Sequence, residues 1–133
     1  MVCGCNINGF AFPPPKEATV TPWGWWIEHF CADDYSYRSK TLCIECGHQI
    51  SVQYHKERSE LWYIPQENGY YELTLGEEKS ILRGKRKIDI PVGFVHSIKN
   101  MSSIPLIIYE TQYGKRCSES DIVRIHDPYA DKR

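Results

Sequence analysis

The sequence lacks the features that mark several large classes of protein. It has no apolar run long enough to cross a bilayer, and its 16 Lys and Arg against 17 Asp and Glu leave almost no net charge. Such a balance gives no electrostatic basis for binding nucleic acid or an anionic membrane surface, so neither is predicted as a partner. The start, Met1-Val2-Cys3-Gly4-Cys5, has neither the basic nor the apolar stretch of a secretory signal. We therefore expect a cytoplasmic protein.

Helical periodicity is also missing, whereas short alternating segments bounded by turn residues are frequent. The predicted strands cover residues 23–30, 39–46, 49–55, 60–65, 70–76, 79–83, 87–90, 94–99 and 104–113. Many short strands at this spacing are typical of an antiparallel barrel or sandwich, because closure removes exposed sheet edges. The sequence thus predicts one all-β domain over residues 22–133, after an irregular arm over residues 1–21 that contains Pro13-Pro14-Pro15. Ser118 and Asp121 fit the capping of one helical turn near the end.

The 6 cysteines include one pair with a chemically suggestive spacing. Cys43 and Cys46 are three residues apart, as in a zinc knuckle or a redox pair. They fall within the predicted strand 39–46, where residues three apart face opposite sides of a sheet. Two thiolates on opposite sides cannot share one metal, so we expect free structural thiols at both positions.

Aromatic residues are concentrated in the first predicted strand. Alternation places Trp23 and Trp25 on one face and Trp26 on the other, which favours core packing or a subunit contact over a sugar-binding platform. The apolar surface of Trp23 to Phe30, with the Pro-containing arm before it, predicts a homodimer.

Polar side chains with metal-binding atoms are spaced so that they can converge. Gln53 and His55 lie two apart on the polar face of a predicted strand, and Glu60 follows after a bend. On its own, this run fits better a half-buried strand whose polar face lies in water. His96 adds a second imidazole after a Pro-x-Gly turn. The four residues form an oxygen and nitrogen set suited to one divalent ion, Zn in first place and Mn, Fe, Co or Ni as alternatives, with coordination positions left open.

These residues resemble the two motifs of the cupin superfamily. Gly47, Gln53, His55 and Glu60 match the first motif, with Gln53 where most cupins carry His. Gly84, Pro91, Gly93, His96 and Asn100 match the second, with one extra residue after Gly84. The resemblance implies a cupin barrel, which is a double-stranded β-helix or jelly roll.

A closer resemblance covers roughly residues 20–129 and points to the mannose-6-phosphate isomerase domain of type II phosphomannose isomerases. The segments that carry it are Pro22-Trp23-Gly24-Trp25-Trp26, Ser51-Val52-Gln53-Tyr54-His55, Arg58-Ser59-Glu60-x-Trp62, Ile90-Pro91-x-Gly93-x-x-His96 and Ser120-Asp121-Ile122-Val123-Arg124-Ile125-x-Asp127-x-Tyr129. In that family the domain often follows a mannose-1-phosphate guanylyltransferase domain, which is not recognised in this sequence. We therefore do not expect GDP-mannose synthesis from this chain alone.

The resemblance implies a metal-assisted aldose–ketose isomerisation that interconverts mannose 6-phosphate and fructose 6-phosphate, so the expected partner is a small-molecule sugar phosphate. A metal would polarise the sugar carbonyl while a base moves a proton between adjacent carbons. Arg58 and Arg124 lie within the matched segments and are candidates for binding the phosphate, because a guanidinium binds an oxyanion through two parallel hydrogen bonds.

The sequence also departs from that family. Two further His usually follow the first metal His, where this chain has Lys56 and Glu57, and Leu61 stands where another His is usual. Glu57 is a candidate replacement for the base, although a solvated surface glutamate beside Lys56 and Arg58 is the favoured interpretation of this residue. The departures keep two other functions open: a cupin epimerase or oxygenase, and a non-catalytic cupin that binds a sugar or nucleotide sugar.

Overall fold

A computed structural model describes residues 14–129 of the chain. These residues form eleven β-strands and one 3₁₀ turn. The strands are β1 (Thr19–Thr21), β2 (Gly24–Cys31), β3 (Tyr37–Ile44), β4 (Val52–Tyr54), β5 (Arg58–Ile64), β6 (Tyr70–Leu75), β7 (Glu78–Arg83), β8 (Arg86–Ile90), β9 (His96–Asn100), β10 (Leu106–Gly114) and β11 (Val123–His126). The 3₁₀ turn, Glu119–Asp121, lies between β10 and β11.

The strands pair in two antiparallel sheets, as a cupin barrel requires. One sheet has six strands in the order β1-β2-β3-β10-β5-β8, and the other has five in the order β11-β4-β9-β6-β7. Because antiparallel partners need only short turns, Gly76 with its positive φ is sufficient to join the paired strands β6 and β7. Gly84, also with positive φ, joins β7 to β8, where the chain passes from one sheet to the other. The expected all-β cupin architecture is confirmed.

The interior of the barrel changes character along its axis. At one end it is filled by aliphatic side chains with no exposed surface, Ile44, Ile64, Ile98, Leu106 and Ile108. Toward the other end the same strands turn buried polar and charged groups inward. Alternation along β5 buries Arg58, Glu60, Trp62 and Ile64 in turn, and Glu110 and Gln112 continue the inward face of β10. A hydrophobic half therefore supports a polar half in which a site can form.

Most predicted strands agree with β2 to β10 within a few residues, and the predicted helical turn is present as Glu119–Asp121, with Ser118 as its N-cap. The end of the predicted irregular arm is wrong, because Thr19–Thr21 pair with the start of β2. Pro13 lies outside the described residues, so the division into arm and barrel stays a prediction. β11, which pairs with β4, was not predicted as a strand.

No helix within residues 14–129 is long and apolar enough to span a membrane.

The prediction that Trp23 and Trp25 share a face is wrong. Trp23 precedes β2 and is buried in the core cluster, which Trp26 also contacts. Gly24 interrupts the alternation with a φ of +154°, and a Cβ there would lie 1.9 Å from the Cys43 carbonyl oxygen. This close approach turns Trp23 toward the same side as Trp26 and leaves Trp25 on the outer side of the sheet.

The cysteine pair also differs from expectation. β3 ends at Ile44, so Cys46 lies beyond the strand. Cys43 is free, as are Cys31 and Cys117, whereas Cys46 is disulfide-bonded. The prediction of a free thiol is thus confirmed for Cys43 and wrong for Cys46. Burial raises the pKa of the Cys43 thiol to about 12.

Candidate metal centre

Three buried side chains meet at the polar end of the barrel. His55 follows β4, Glu60 lies in β5 and His96 begins β9, and their ligand atoms all lie within 4.8 Å of one another. The Nε2 atom of His55 is 3.2 Å from Glu60 Oε2, and that of His96 is 3.5 Å from Glu60 Oε1. Ligands of one tetrahedral or octahedral ion about 2.1 Å from the metal lie roughly 3 Å apart. These three residues could therefore hold a metal ion.

The hydrogen bonds of the two imidazoles determine which nitrogen faces the cluster. His55 Nδ1 lies 2.9 Å from the Asp121 carbonyl oxygen, and His96 Nδ1 lies 3.0 Å from the Phe94 carbonyl oxygen. A carbonyl only accepts, so each Nδ1 carries the proton and each Nε2 presents a lone pair. Burial lowers the pKa of His96 and favours its neutral form, and its Nε2 is buried without a hydrogen-bond partner. An unpaired lone pair aimed at a carboxylate fits a metal ligand.

Arg58 is part of the same cluster, and its guanidinium is fully engaged. Its Nε and Nη2 atoms donate to Glu60 Oε2 at 3.0 Å and 2.9 Å, Nη2 lies 3.2 Å from His55 Nε2, and Nη1 donates to the Ser118 carbonyl at 3.0 Å. Burial opposes ionisation of Glu60. The contacts that the carboxylate makes with His55 and Arg58, and the charge around it, outweigh this burial and hold the Glu60 pKa well below its usual range.

A second buried carboxyl group lies beside the cluster, and the sequence analysis missed it. Glu110 accepts a hydrogen bond from Trp62 Nε1 at 3.0 Å and another from Gln112 Nε2 at 2.8 Å. Trp62 Nε1 also lies 3.2 Å from Glu60 Oε1, so one indole N–H serves both carboxylates. Burial, and then the nearby charge of Glu60, raise the Glu110 pKa to about 7. The two glutamates therefore have opposite pKa shifts, which is common where charge is concentrated in a functional site.

A cavity of about 110 Å³ opens next to these residues. Its lining includes both aromatic and charged side chains, among them Trp23, Trp26, Lys40, Gln53, Arg58, Glu110, Glu119 and Arg124. Lys40 is buried and paired with Glu119, and its ammonium lies 4.0 Å over the Trp26 ring. His55, Glu60 and His96 are not among the residues that line this polar, aromatic-walled space. Arg58, which does line it, connects it to the cluster through its contacts with Glu60 and His55.

The remaining predicted site residues are placed as follows. Gln53 lines the cavity and lies opposite His96 in the pairing of β4 with β9. Its Oε1 atom accepts a 2.6 Å hydrogen bond from Ser51 Oγ. The role of Gln53 as a fourth metal ligand stays a prediction. Arg124 lines the cavity from β11, with 42% of its side chain exposed and Asp127 Oδ2 3.9 Å away. Glu57 is exposed and is not among the residues that line this cavity.

Asp121 is a further residue of the site that was not identified from the sequence. Its carbonyl oxygen fixes His55, and its carboxylate accepts from the backbone N–H groups of Lys56 at 3.0 Å and Glu57 at 2.8 Å. The capping pattern of Ser118 to Asp121 indicated a turn but not its target, which lies more than 60 residues earlier in the chain. This turn therefore holds the loop that carries the first histidine.

Comparison with known proteins agrees with this arrangement. The profile of the mannose-6-phosphate isomerase C-terminal family matches residues 16–127. Xanthan biosynthesis protein XanB of Xanthomonas campestris pv. campestris is 36% identical over 93 residues, which is 70% of this chain and 20% of that protein. Mannose-1-phosphate guanylyltransferase of Escherichia coli K12 is 32% identical over 108 residues, covering 81% of this chain and 22% of that protein. The chain spans about a fifth of the length of these relatives.

Solved structures share the fold at low sequence identity. The cupin domain of Schizosaccharomyces pombe Cnp3 superposes with a TM-score of 0.62 at 20% identity, covering 68% of this chain and 64% of that one. The capsular polysaccharide assembling protein CapF of Staphylococcus aureus gives 0.67 at 16% identity, covering 86% of this chain and 33% of that one. The profile match over most of the chain, together with this fold, shows that the protein is a cupin domain of the mannose-6-phosphate isomerase C-terminal family.

Proposed function

We propose that this cupin domain is a metal-dependent sugar-phosphate isomerase that interconverts mannose 6-phosphate and fructose 6-phosphate, or a closely related pair of sugars. The observation that carries the proposal is the convergence of two imidazole Nε2 lone pairs and the Glu60 carboxylate. One of these lone pairs, on His96, is buried without a partner. A cavity lined by charged and aromatic side chains adjoins this cluster through Arg58, which lines the cavity and contacts Glu60.

The donor set supports a borderline divalent ion held by His55, Glu60 and His96, with Gln53 proposed as the fourth ligand. Zn is the first candidate, and Mn, Fe, Co or Ni also accept nitrogen and oxygen ligands. When bound, such an ion supplies the positive charge that polarises a carbonyl and stabilises the negative charge that develops on the sugar oxygens. The carbonyls of Asp121 and Phe94 keep both rings in the tautomer that this role requires.

We propose Arg124, rather than Arg58, as the phosphate ligand. Arg124 reaches the cavity from an exposed strand, and its guanidinium has only a distant contact of 3.9 Å with Asp127. A half-exposed guanidinium of this kind can bind a phosphate dianion without breaking buried hydrogen bonds. Arg58, by contrast, is 3% exposed and would have to leave Glu60, His55 and Ser118.

Glu57 is the proton carrier predicted from the sequence, and a group that lines the cavity is the alternative. The exposed position of Glu57 does not favour it. The Glu57→Gln variant tests the assignment, because a positioned base contributes about 10²–10⁴-fold to the rate. A kcat within a factor of two of the unmodified protein removes Glu57 from this role.

The main experiment combines elemental analysis with a coupled assay on mannose 6-phosphate, after reconstitution with each metal in turn. We expect activity that a chelator abolishes and that His96→Ala removes together with the bound metal. His29→Ala is the matched control, because His29 contacts Thr41 away from this cluster; it should retain both metal and activity. If the fully metallated protein exchanges no C2 proton of the sugar with solvent deuterium, the isomerase proposal is wrong.

That negative result would favour a non-catalytic cupin that binds a sugar or nucleotide sugar. The specific observation in its favour is the pair Lys56 and Glu57, which replaces two histidines of the resembled family and is exposed. Binding of a sugar ligand, measured by calorimetry in the absence of turnover, would distinguish this function from the first.

A further inference from the structure

Arg58 contacts the same atoms that a metal ion would bind. Its Nη2 lies 2.9 Å from Glu60 Oε2 and 3.2 Å from His55 Nε2. The Nε2 atom has one lone pair, so it cannot accept from Arg58 and coordinate a metal at the same time. In the arrangement described, a cation of the chain itself therefore uses two of the positions that a metal would use.

The rest of the guanidinium is anchored independently of the metal ligands. Nη1 donates to the Ser118 carbonyl at 3.0 Å, and Ser118 is the N-cap of the turn that holds His55 through Asp121. Arg58 thus connects the turn, the carboxylate and the first histidine. A buried ionised carboxylate needs such a partner, because an unpaired buried charge is strongly destabilising.

We propose that Arg58 is a built-in positioning cation that holds the ligand set in place while no metal is bound and that weakens metal binding by competing for His55 and Glu60. This inference rests on the proposed metal function of the site. Metal binding must release His55 Nε2 from Arg58 and must place a divalent ion beside a permanent positive charge. Arg58 therefore stabilises the metal-free protein and sets its metal affinity, and these two effects have opposite signs.

The test uses Arg58→Met, which removes the charge and the donors but keeps an extended side chain, and Arg58→Lys, which keeps the charge but not the fork. The matched control is Arg83→Met, because Arg83 is an exposed arginine that lies over Tyr70 on β7. The Kd for Co²⁺ and for Zn²⁺ is measured by competition with a chromophoric chelator. The Tm is measured in excess EDTA.

We expect Arg58→Met to bind both ions at least tenfold more tightly than the unmodified protein while its metal-free Tm falls. Arg58→Lys should lie between the two, and Arg83→Met should change neither value. Addition of Zn²⁺ should then raise the Tm of Arg58→Met more than that of the unmodified protein.

Unchanged or weaker metal binding by Arg58→Met overturns the inference. If the metallated unmodified protein still isomerises the sugar, the proposed function stands without it. If neither protein binds either ion, both proposals fail. If Arg58→Met does not fold, Arg58→Lys decides: tighter binding than in the unmodified protein supports the inference, and equal or weaker binding refutes it.

Discussion

Glu110 gives a prediction whose sign and size follow from its surroundings. Its pKa is raised from 4.5 to about 7, first by burial and then by the charge of Glu60. One pKa unit corresponds to about 1.4 kcal/mol, so ionising Glu110 in the folded chain costs about 3 kcal/mol. Because the folded state holds this proton more tightly than the unfolded state, the contribution is present below pH 4.5 and is lost as the pH rises to about 7.

The Glu110→Gln variant removes this pH dependence without removing the hydrogen bonds. Trp62 Nε1 can donate to the amide oxygen as it does to the carboxylate. Gln112 Oε1, which is buried without a partner, can accept from the new amide once the Gln112 amide turns over. A neutral group at position 110 therefore fits the site at every pH.

We expect the free energy of unfolding of Glu110→Gln to exceed that of the unmodified protein by about 3 kcal/mol at pH 8, and to differ little at pH 4.5. The measurement is urea denaturation in excess EDTA at pH 4.5, 6 and 8. His96, whose pKa is lowered by burial, is present in both proteins, so the difference between them isolates Glu110. Glu78→Gln is the control, because Glu78 is exposed. A difference that is the same at all three pH values would refute the reasoning.

Four further expectations follow from other parts of the structure. Asp121→Ala should weaken metal binding by about 10–100-fold, because the loop after His55 loses both backbone contacts; chelator competition checks this, and Asp121→Asn, which keeps one acceptor, should lose less. Arg124→Ala should raise the KM for mannose 6-phosphate far more than for unphosphorylated mannose, and equal effects would remove Arg124 from phosphate binding. Cys43, which is 3% exposed with a pKa of about 12, should resist alkylation at pH 8 under conditions that label Cys31, as read by mass spectrometry; equal labelling contradicts its burial. We also propose the homodimer, so light scattering at tens of micromolar should give about twice the chain mass of 15.5 kDa, and a monomeric mass argues against it.

The sequence was sufficient for the strands because their limits are set by local chemistry. Turn residues such as Gly76 and Gly84 have positive φ, and inward and outward residues alternate between them. β1 and β11 were harder to recognise because they have three and four residues, and they take their regularity from pairing with β2 and β4. Such short edge strands carry little pattern of their own.

The site was predictable in its residue types but not in its contacts. His55, Glu60 and His96 could be recognised by their spacing and by the resemblance to cupin motifs. The roles of Arg58 and Asp121 could not, because each depends on a carbonyl or backbone N–H group about 60 or more residues away. Glu110 lies in a strand where Tyr109 and Thr111 alternate with it, and the sequence alone did not reveal that the carboxylate faces inward.

The side chains that stabilise the fold and those that can contact a ligand lie at different ends of the barrel. The first are aliphatic, and the second are polar or charged. Each fully buried isoleucine contributes about 1.5–3 kcal/mol through loss of apolar surface, and five large aliphatic side chains at one end are entirely buried. Beyond that region, the inward faces of β3 and β10 carry polar or charged residues, namely Lys40, Glu110 and Gln112. Replacing Lys40 or Glu110, which line the cavity, changes its charge and shape while the aliphatic contacts remain. A barrel built in this way can acquire a new ligand or reaction by substitutions at one end, and the other end preserves its ability to fold.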